Sequence, residues 1–156
     1  MAFLYPELNL CGKAGIDEVR YQMIQECLTE TFTQILKMMY DGDWEKGVSE
    51  FERKFSGKFE ELDKLVKENG TFLGYLTWIE FDFTYMLNSA RTIMLNGAQK
   101  NEKLGPILEK IQSLENLQKV VSKIENLEGV KDIYSERRSV PITYDFLCKD
   151  KIDWSL

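Results

Sequence analysis

A run of apolar and aromatic residues between positions 71 and 90 constrains the fold more than any other part of the chain. Within it, Thr77 stands three residues before Glu80. A Thr-x-x-Glu pattern ahead of an apolar run is typical of a capping box, in which the threonine hydroxyl accepts from the N–H of the fourth residue and the glutamate reaches back to the threonine N–H. The sequence therefore predicts a helix that begins at Thr77. Because this helix is apolar on most sides, we expect the rest of the chain to bury it.

Composition and charge bound the classes of protein to which the chain can belong. A length of 156 residues with 44% hydrophobic and 29% charged residues is typical of one globular domain. The net charge of −6 disfavours binding to nucleic acid or to an anionic membrane. No apolar run approaches the ~20 residues that cross a bilayer. We therefore expect no nucleic-acid partner and no insertion into a membrane.

Histidine and cysteine usage limits the chemistry. The chain has 0 histidines, which excludes Ser-His-Asp and Cys-His catalytic arrangements and histidine-ligated metals. Its 3 cysteines, Cys11, Cys27 and Cys148, are scattered and odd in number. We therefore expect no metal site and no disulfide framework, but reduced and inert thiols, as in the cytoplasm or another reducing intracellular compartment.

Hydrophobic periodicity predicts an all-α fold. Helical spacing extends over 16–40, 44–69 and 77–95, then over shorter segments at 106–114, 116–124 and 127–135. No segment alternates with period two over a strand's length, so we predict no sheet. A short link joins the first two long helices, and we expect them to pack antiparallel. Asn69-Gly70 is expected to end the second helix as a left-handed cap.

The first helix carries a broad apolar surface that we expect to face the core. One stripe of helical spacing consists of Ile16, Val19, Met23, Cys27 and Phe32. Further apolar residues widen it, namely Ile24, Leu28, Ile35, Leu36, Met39 and Tyr40. Its breadth suggests that more apolar surface is present than one domain of this size covers, which favours a protein partner.

Several separated blocks of the sequence resemble cytosolic glutathione transferases, most closely the mu class or its sigma relatives. In chain order the blocks are Asn9-Leu10-Cys11-Gly12, Arg20, Met39-Tyr40, Trp44-Glu45-Lys46, Phe72–Phe81 and Ile124–Tyr134. The resemblance covers most of residues 8–144 and implies the C-terminal helical domain of that family, a bundle around the threonine-capped helix. The expected organisation is a linker remnant at 1–12, the helical domain at 13–144 and a C-terminal tail at 145–156.

The resemblance also implies roles for individual side chains. Tyr40 matches a tyrosine that points its hydroxyl at the electrophile in mu-like enzymes; the alternative is an aromatic residue that ends a core stripe. Glu30 matches an acidic residue that reaches the glutathione amine of the partner subunit; the alternative is a solvated helix face. Arg20 matches a structural or cleft arginine of the family. Thr77 and Glu80 are structural in either interpretation.

Some features depart from the family. Lys37 stands at a position that lines the apolar electrophile pocket, and Tyr85 stands where an aspartate is usual in the central helix. The thioredoxin-like domain of these enzymes, which holds glutathione and activates its thiol, has no counterpart in these residues. We therefore expect no catalytic residue and no cofactor, with glutathione bound only if an N-terminal domain is supplied.

Two hypotheses of function follow. The first is a non-catalytic, transferase-derived helical module that acts by binding protein, as a homodimer or as a subunit of a larger assembly, because apolar helix faces are left unfilled without the neighbouring domain. The alternative is the C-terminal half of a mu-like glutathione transferase, which conjugates glutathione to electrophiles with Tyr40 and Glu30 in the roles above. Binding of glutathione would favour the alternative.

Overall fold

The computed structural model describes residues 10–11, 13–40, 43–98 and 101–131, without the side chains of Met39, Tyr40, Ser56 and Asn96. Over these ranges the chain forms five helices and no strand, which confirms the all-α class. The helices are α1 (Ile16–Tyr40), α2 (Trp44–Leu65), α3 (Trp78–Gly97), α4 (Leu104–Gln112) and α5 (Glu115–Glu125).

The two longest helices, α1 and α2, pack antiparallel as predicted. Met38 near the end of α1 meets Gly47 near the start of α2, where an added Cβ would lie 2.7 Å from the methionine Cγ. Further along the pair, the Lys58 ammonium lies 2.8 Å from a carboxylate oxygen of Glu30. The missing side chain of Gly47 therefore allows close approach of the two helices at their joined ends.

Helix α3 lies at the centre, where it contacts α1, α4 and α5. The predicted capping box is present at its start: Thr77 Oγ1 accepts from the N–H of Ile79 at 3.3 Å, and Glu80 Oε2 accepts from the N–H of Thr77 at 2.7 Å. One side of α3 fills the core with the buried residues Ile79, Phe83, Met86, Leu87, Ala90, Ile93 and Met94. Asp82 and Tyr85 are exposed where α3 borders α1: Asp82 accepts from the Gln25 amide at 3.0 Å, and Tyr85 meets the ring of Phe32.

Several predicted helix limits differ from the structure, and α4 lies two residues earlier than the predicted 106–114. Helix α2 ends at Leu65, because Val66 is extended (φ −65°, ψ 131°), so the cap predicted at Asn69-Gly70 is wrong. Gly70 does adopt φ 71°, but it lies in a turn after the helix. The N–H of Lys67 donates to the carbonyl of Thr71 at 2.8 Å and closes this turn. The last predicted helix does not begin at residue 127, because residues 127–129 form a turn in which Gly129 adopts φ 78°. Residues 132–135 of that helix, most of the linker remnant at 1–12 and the tail at 145–156 lie outside the described residues.

The orientation of α1 also differs from the prediction. The buried residues of this helix are Ile24, Leu28, Thr31, Gln34, Ile35 and Met38. By contrast, Ile16, Val19 and Met23 are 64%, 50% and 64% exposed, so their assignment to the core is wrong. The physical reason is rotation: at about 100° per residue, Val19 and Leu28 project from opposite sides of the helix, and α2 and α3 cover the side of Leu28.

Candidate functional site

The N-terminal half of α1 presents an apolar surface to solvent. Ile16, Val19 and Met23 follow one another at three- and four-residue steps, which places them along one side of the helix. We call these three residues the α1 face. Leu65, 47% exposed at the end of α2, lies at about the level of Met23, because the antiparallel register sets Glu30 beside Lys58. Among the described side chains, the large exposed apolar residues of the α1–α2 pair therefore lie at one end of it.

Glu30, the proposed cross-subunit ligand, is bound within its own chain. Its carboxylate accepts a hydrogen bond of 2.8 Å from Lys58, and this bond together with the charge of the ammonium lowers the pKa of Glu30. The Glu30 side chain is 64% exposed, and the Lys58 ammonium also lies 4.8 Å from the centre of the Phe55 ring. A ligand amine at Glu30 would have to compete with Lys58.

Cys27 lies close to this ion pair but is not an activated thiol. Burial raises the pKa of Cys27, and this effect outweighs the lowering by the Lys58 ammonium and by the hydrogen bond to Thr31. The thiolate is the nucleophilic form of cysteine, so a raised pKa reduces reactivity at neutral pH. This agrees with the expectation of inert thiols.

Tyr40 is the last residue of α1, and its side chain lies outside the described part of the structure. Near it, the end of α1 and the start of α2 form an open cleft of about 460 Å³ lined by Gln34, Lys37, Met38, Asp43, Lys46, Gly47 and Glu50. Five of these seven residues are polar or charged. The cleft therefore differs from the apolar pocket that an electrophile site requires, and Lys37 is one reason.

Arg20 and Tyr85, which the sequence also singled out, lie on the surface. Arg20 is 59% exposed and forms an ion pair of 3.8 Å with Asp17 in the first turn of α1. Tyr85 is 47% exposed, and its ring meets Phe32 edge-on with centroids 6.2 Å apart. The structure does not bring Arg20, Glu30 and Tyr85 together: Arg20 and Glu30 lie about 15 Å apart along α1, and each of the three has a different partner.

Glu80 makes a contact that the capping-box motif does not reveal. Its side chain is fully buried, and besides its bonds to the backbone N–H and the hydroxyl of Thr77 it accepts at 2.8 Å from the N–H of Phe72. The carboxylate thus joins the loop before α3 to the start of that helix. Its role is structural.

Asp63 holds α5 in a way that sequence reasoning missed. From the last turn of α2, its carboxylate accepts from the N–H of Leu117 and from the amide of Asn116, both at 3.0 Å. The residue before α5 supplies no side-chain cap, so Asp63 satisfies the first turn in its place. No local sequence pattern predicts such a cap, because the donor and the acceptor lie far apart in sequence.

Comparisons with protein-family models and with curated proteins find no match for this chain. Among the described residues, no helix is long and apolar enough to cross a membrane, and no group of three or more acidic or cysteine side chains is arranged to hold a metal ion.

Proposed function

We propose that the chain is a non-catalytic helical module, derived from the C-terminal domain of glutathione transferases, that works by binding another protein. The observation that carries this proposal is the α1 face. Three large apolar side chains in succession are at least half exposed, whereas an isolated exposed apolar residue would be ordinary. The partner is another copy of the chain or a subunit of a larger assembly.

Other observations favour binding over catalysis. The cleft beside the end of α1 is polar, Glu30 is engaged with Lys58, and Cys27 has a raised pKa. Transfer of glutathione needs a stabilised thiolate next to an apolar pocket, and catalysis depends on holding both reactants in near-attack geometry. The polar cleft beside α1 and the raised pKa of Cys27 do not match these requirements, which supports binding over catalysis.

Light scattering with size-exclusion chromatography and a dye for exposed apolar surface test the proposal on the purified chain. We expect self-association, or dye binding by the monomer, and we expect the double variant Val19→Glu/Met23→Glu to reduce both. Both positions are exposed, so the variant should remain folded by circular dichroism. A stable monomer that binds no dye would contradict the proposal.

The same purified chain can distinguish this proposal from the alternative, in which the chain is the C-terminal half of a glutathione transferase. Calorimetric titration with reduced glutathione should give no heat of specific binding if the chain is a binding module. A heat of specific glutathione binding that is lost in Glu30→Gln and unchanged in Val19→Glu/Met23→Glu would favour the transferase.

A further inference from the structure

We propose that the partner of the α1 face is an amphipathic helix whose apolar side is flanked by lysine or arginine. This inference rests on the proposed function and adds the chemistry of the partner. Ile16 and Met23 are seven residues apart, so the face extends about 10 Å along the helix axis, roughly two turns. A row of side chains of this kind fits the groove between rows of a second helix.

An acidic row runs beside the apolar one. Glu18, Gln22 and Glu26 are exposed and spaced by four residues, which aligns them along the flank of Val19 and Met23. In the described part of the chain, neither Glu18 nor Glu26 forms an ion pair with another side chain. These two carboxylates are therefore available to cations of a partner.

The other charged residues of α1 up to Glu30 form ion pairs. On the opposite flank, Arg20 pairs with Asp17, and further along the helix Glu30 pairs with Lys58. The charges of α1 that remain unpaired beside the face, those of Glu18 and Glu26, are thus negative, in agreement with the net charge of −6 of the whole chain. A cationic flank on the partner would be attracted and oriented by this row.

A second copy of the chain fits the face less well. A two-fold contact places the same patch of both copies together. An antiparallel pairing of two α1 helices would therefore set the acidic row of one copy, Glu18 and Glu26, beside the acidic row of the other. Like charges that are brought together at an interface oppose binding. A basic amphipathic helix meets the same apolar residues without this repulsion.

Fluorescence anisotropy with two labelled helical peptides tests the inference on the full chain. Both peptides carry the same leucine face over ~20 residues, a length that supports a helix; one is flanked by lysine and the other by glutamate. We expect the lysine peptide to bind roughly 2- to 30-fold more tightly, the range that two exposed charge pairs allow, and the difference to shrink with added salt. We expect Val19→Glu/Met23→Glu to weaken binding of the lysine peptide by about 10-fold or more.

A charge-reversal variant with a matched control locates the effect. Glu18→Lys/Glu26→Lys should reverse the preference so that the glutamate peptide binds better. The control Glu115→Lys/Glu109→Lys changes the net charge equally, and it too replaces one first-turn and one later exposed glutamate. These two residues lie on α5 and α4, which pack mainly against α2 and α3. The control should keep the preference for the lysine peptide.

Four outcomes would overturn the inference. Equal binding of both peptides, or an equal effect of the control, would show that no charge recognition occurs at this face. Self-association that competes with the lysine peptide and is lost in Val19→Glu/Met23→Glu would show that a second copy occupies it. In that case the proposed function stands, whereas a chain that binds neither peptide, does not associate and binds no apolar dye would refute the function as well.

Discussion

The carboxylate of Glu80 should contribute more to stability than any exposed charge of this fold. It is fully buried, and three donors converge on it: the N–H groups of Phe72 and Thr77 and the hydroxyl of Thr77. The change Glu80→Gln keeps the shape of the side chain but turns one acceptor oxygen into an NH₂ donor. At least one of the backbone N–H groups then faces another donor and is left without an acceptor.

The expected cost follows from these contacts. An unsatisfied buried donor costs about 1–3 kcal/mol, and loss of a negative charge at a helix N-terminus adds up to ~2 kcal/mol. We therefore expect a loss of about 1–5 kcal/mol in the free energy of unfolding. With a mid-range urea dependence of ~2 kcal/mol per M, the unfolding midpoint should fall by roughly 0.5–2.5 M.

Urea unfolding followed by circular dichroism measures this shift, and Glu45→Gln is the matched control. Glu45 is an exposed acidic residue in the first turn of α2, so its replacement removes a charge at a helix start without a buried contact. If Glu80→Gln proves too unstable to purify, Thr77→Ala removes one donor and should cost about 1 kcal/mol. A midpoint shift for Glu80→Gln no larger than that of Glu45→Gln would refute the reasoning.

Three further outcomes are expected. Gly47→Ala should destabilise the fold by about 1–3 kcal/mol through overpacking between α1 and α2, whereas Gly57→Ala, with no atom within 4 Å of the added Cβ, should stabilise α2 by up to ~1 kcal/mol in the same urea assay. Because the folded-state pKa of Glu30 is lowered, its ion pair stabilises the fold above the unfolded pKa of ~4.3, and this contribution is lost as pH falls through the folded pKa. The difference in melting temperature between wild type and Glu30→Gln should therefore be largest near neutrality and vanish in acid. A difference that grows in acid would contradict this. Iodoacetamide should label Cys27 slowly in the native chain, as followed by peptide-resolved mass spectrometry. Labelling should be slower still in Lys58→Gln, since the ammonium lowers the cysteine pKa. Labelling of the native chain as fast as that of the urea-unfolded chain would contradict this.

The features that the sequence predicted correctly have local signals. The capping box of α3 depends on two residues three positions apart, and the limits of α1 follow from its helical spacing and from the break after Tyr40. Antiparallel packing of α1 and α2 follows from their lengths and their short link. Neighbours in the chain determine each of these, so no knowledge of the tertiary structure was needed.

The features that the sequence did not predict depend on contacts between distant residues. The apolar surface of α1 is broad enough to fit several rotations of the helix, and only the positions of α2 and α3 decide that Leu28 is buried and Val19 exposed. Helix α2 stops before Asn69-Gly70, and the Asp63 carboxylate in its last turn is directed to the start of α5. The third hydrogen bond of Glu80 likewise comes from the preceding loop.

Oxidation of Met23 by hydrogen peroxide tests most directly whether a partner covers the α1 face. Met23 is 64% exposed and Met38 is fully buried, so the two residues give a probe and an internal reference on the same helix, and oxidation follows exposure. In dilute purified protein we expect Met23 to be oxidised rapidly and Met38 to be oxidised slowly. In an undiluted extract of the native source we expect Met23 to be protected as a partner binds, whereas equal rates of Met23 oxidation in both samples would contradict a covered face.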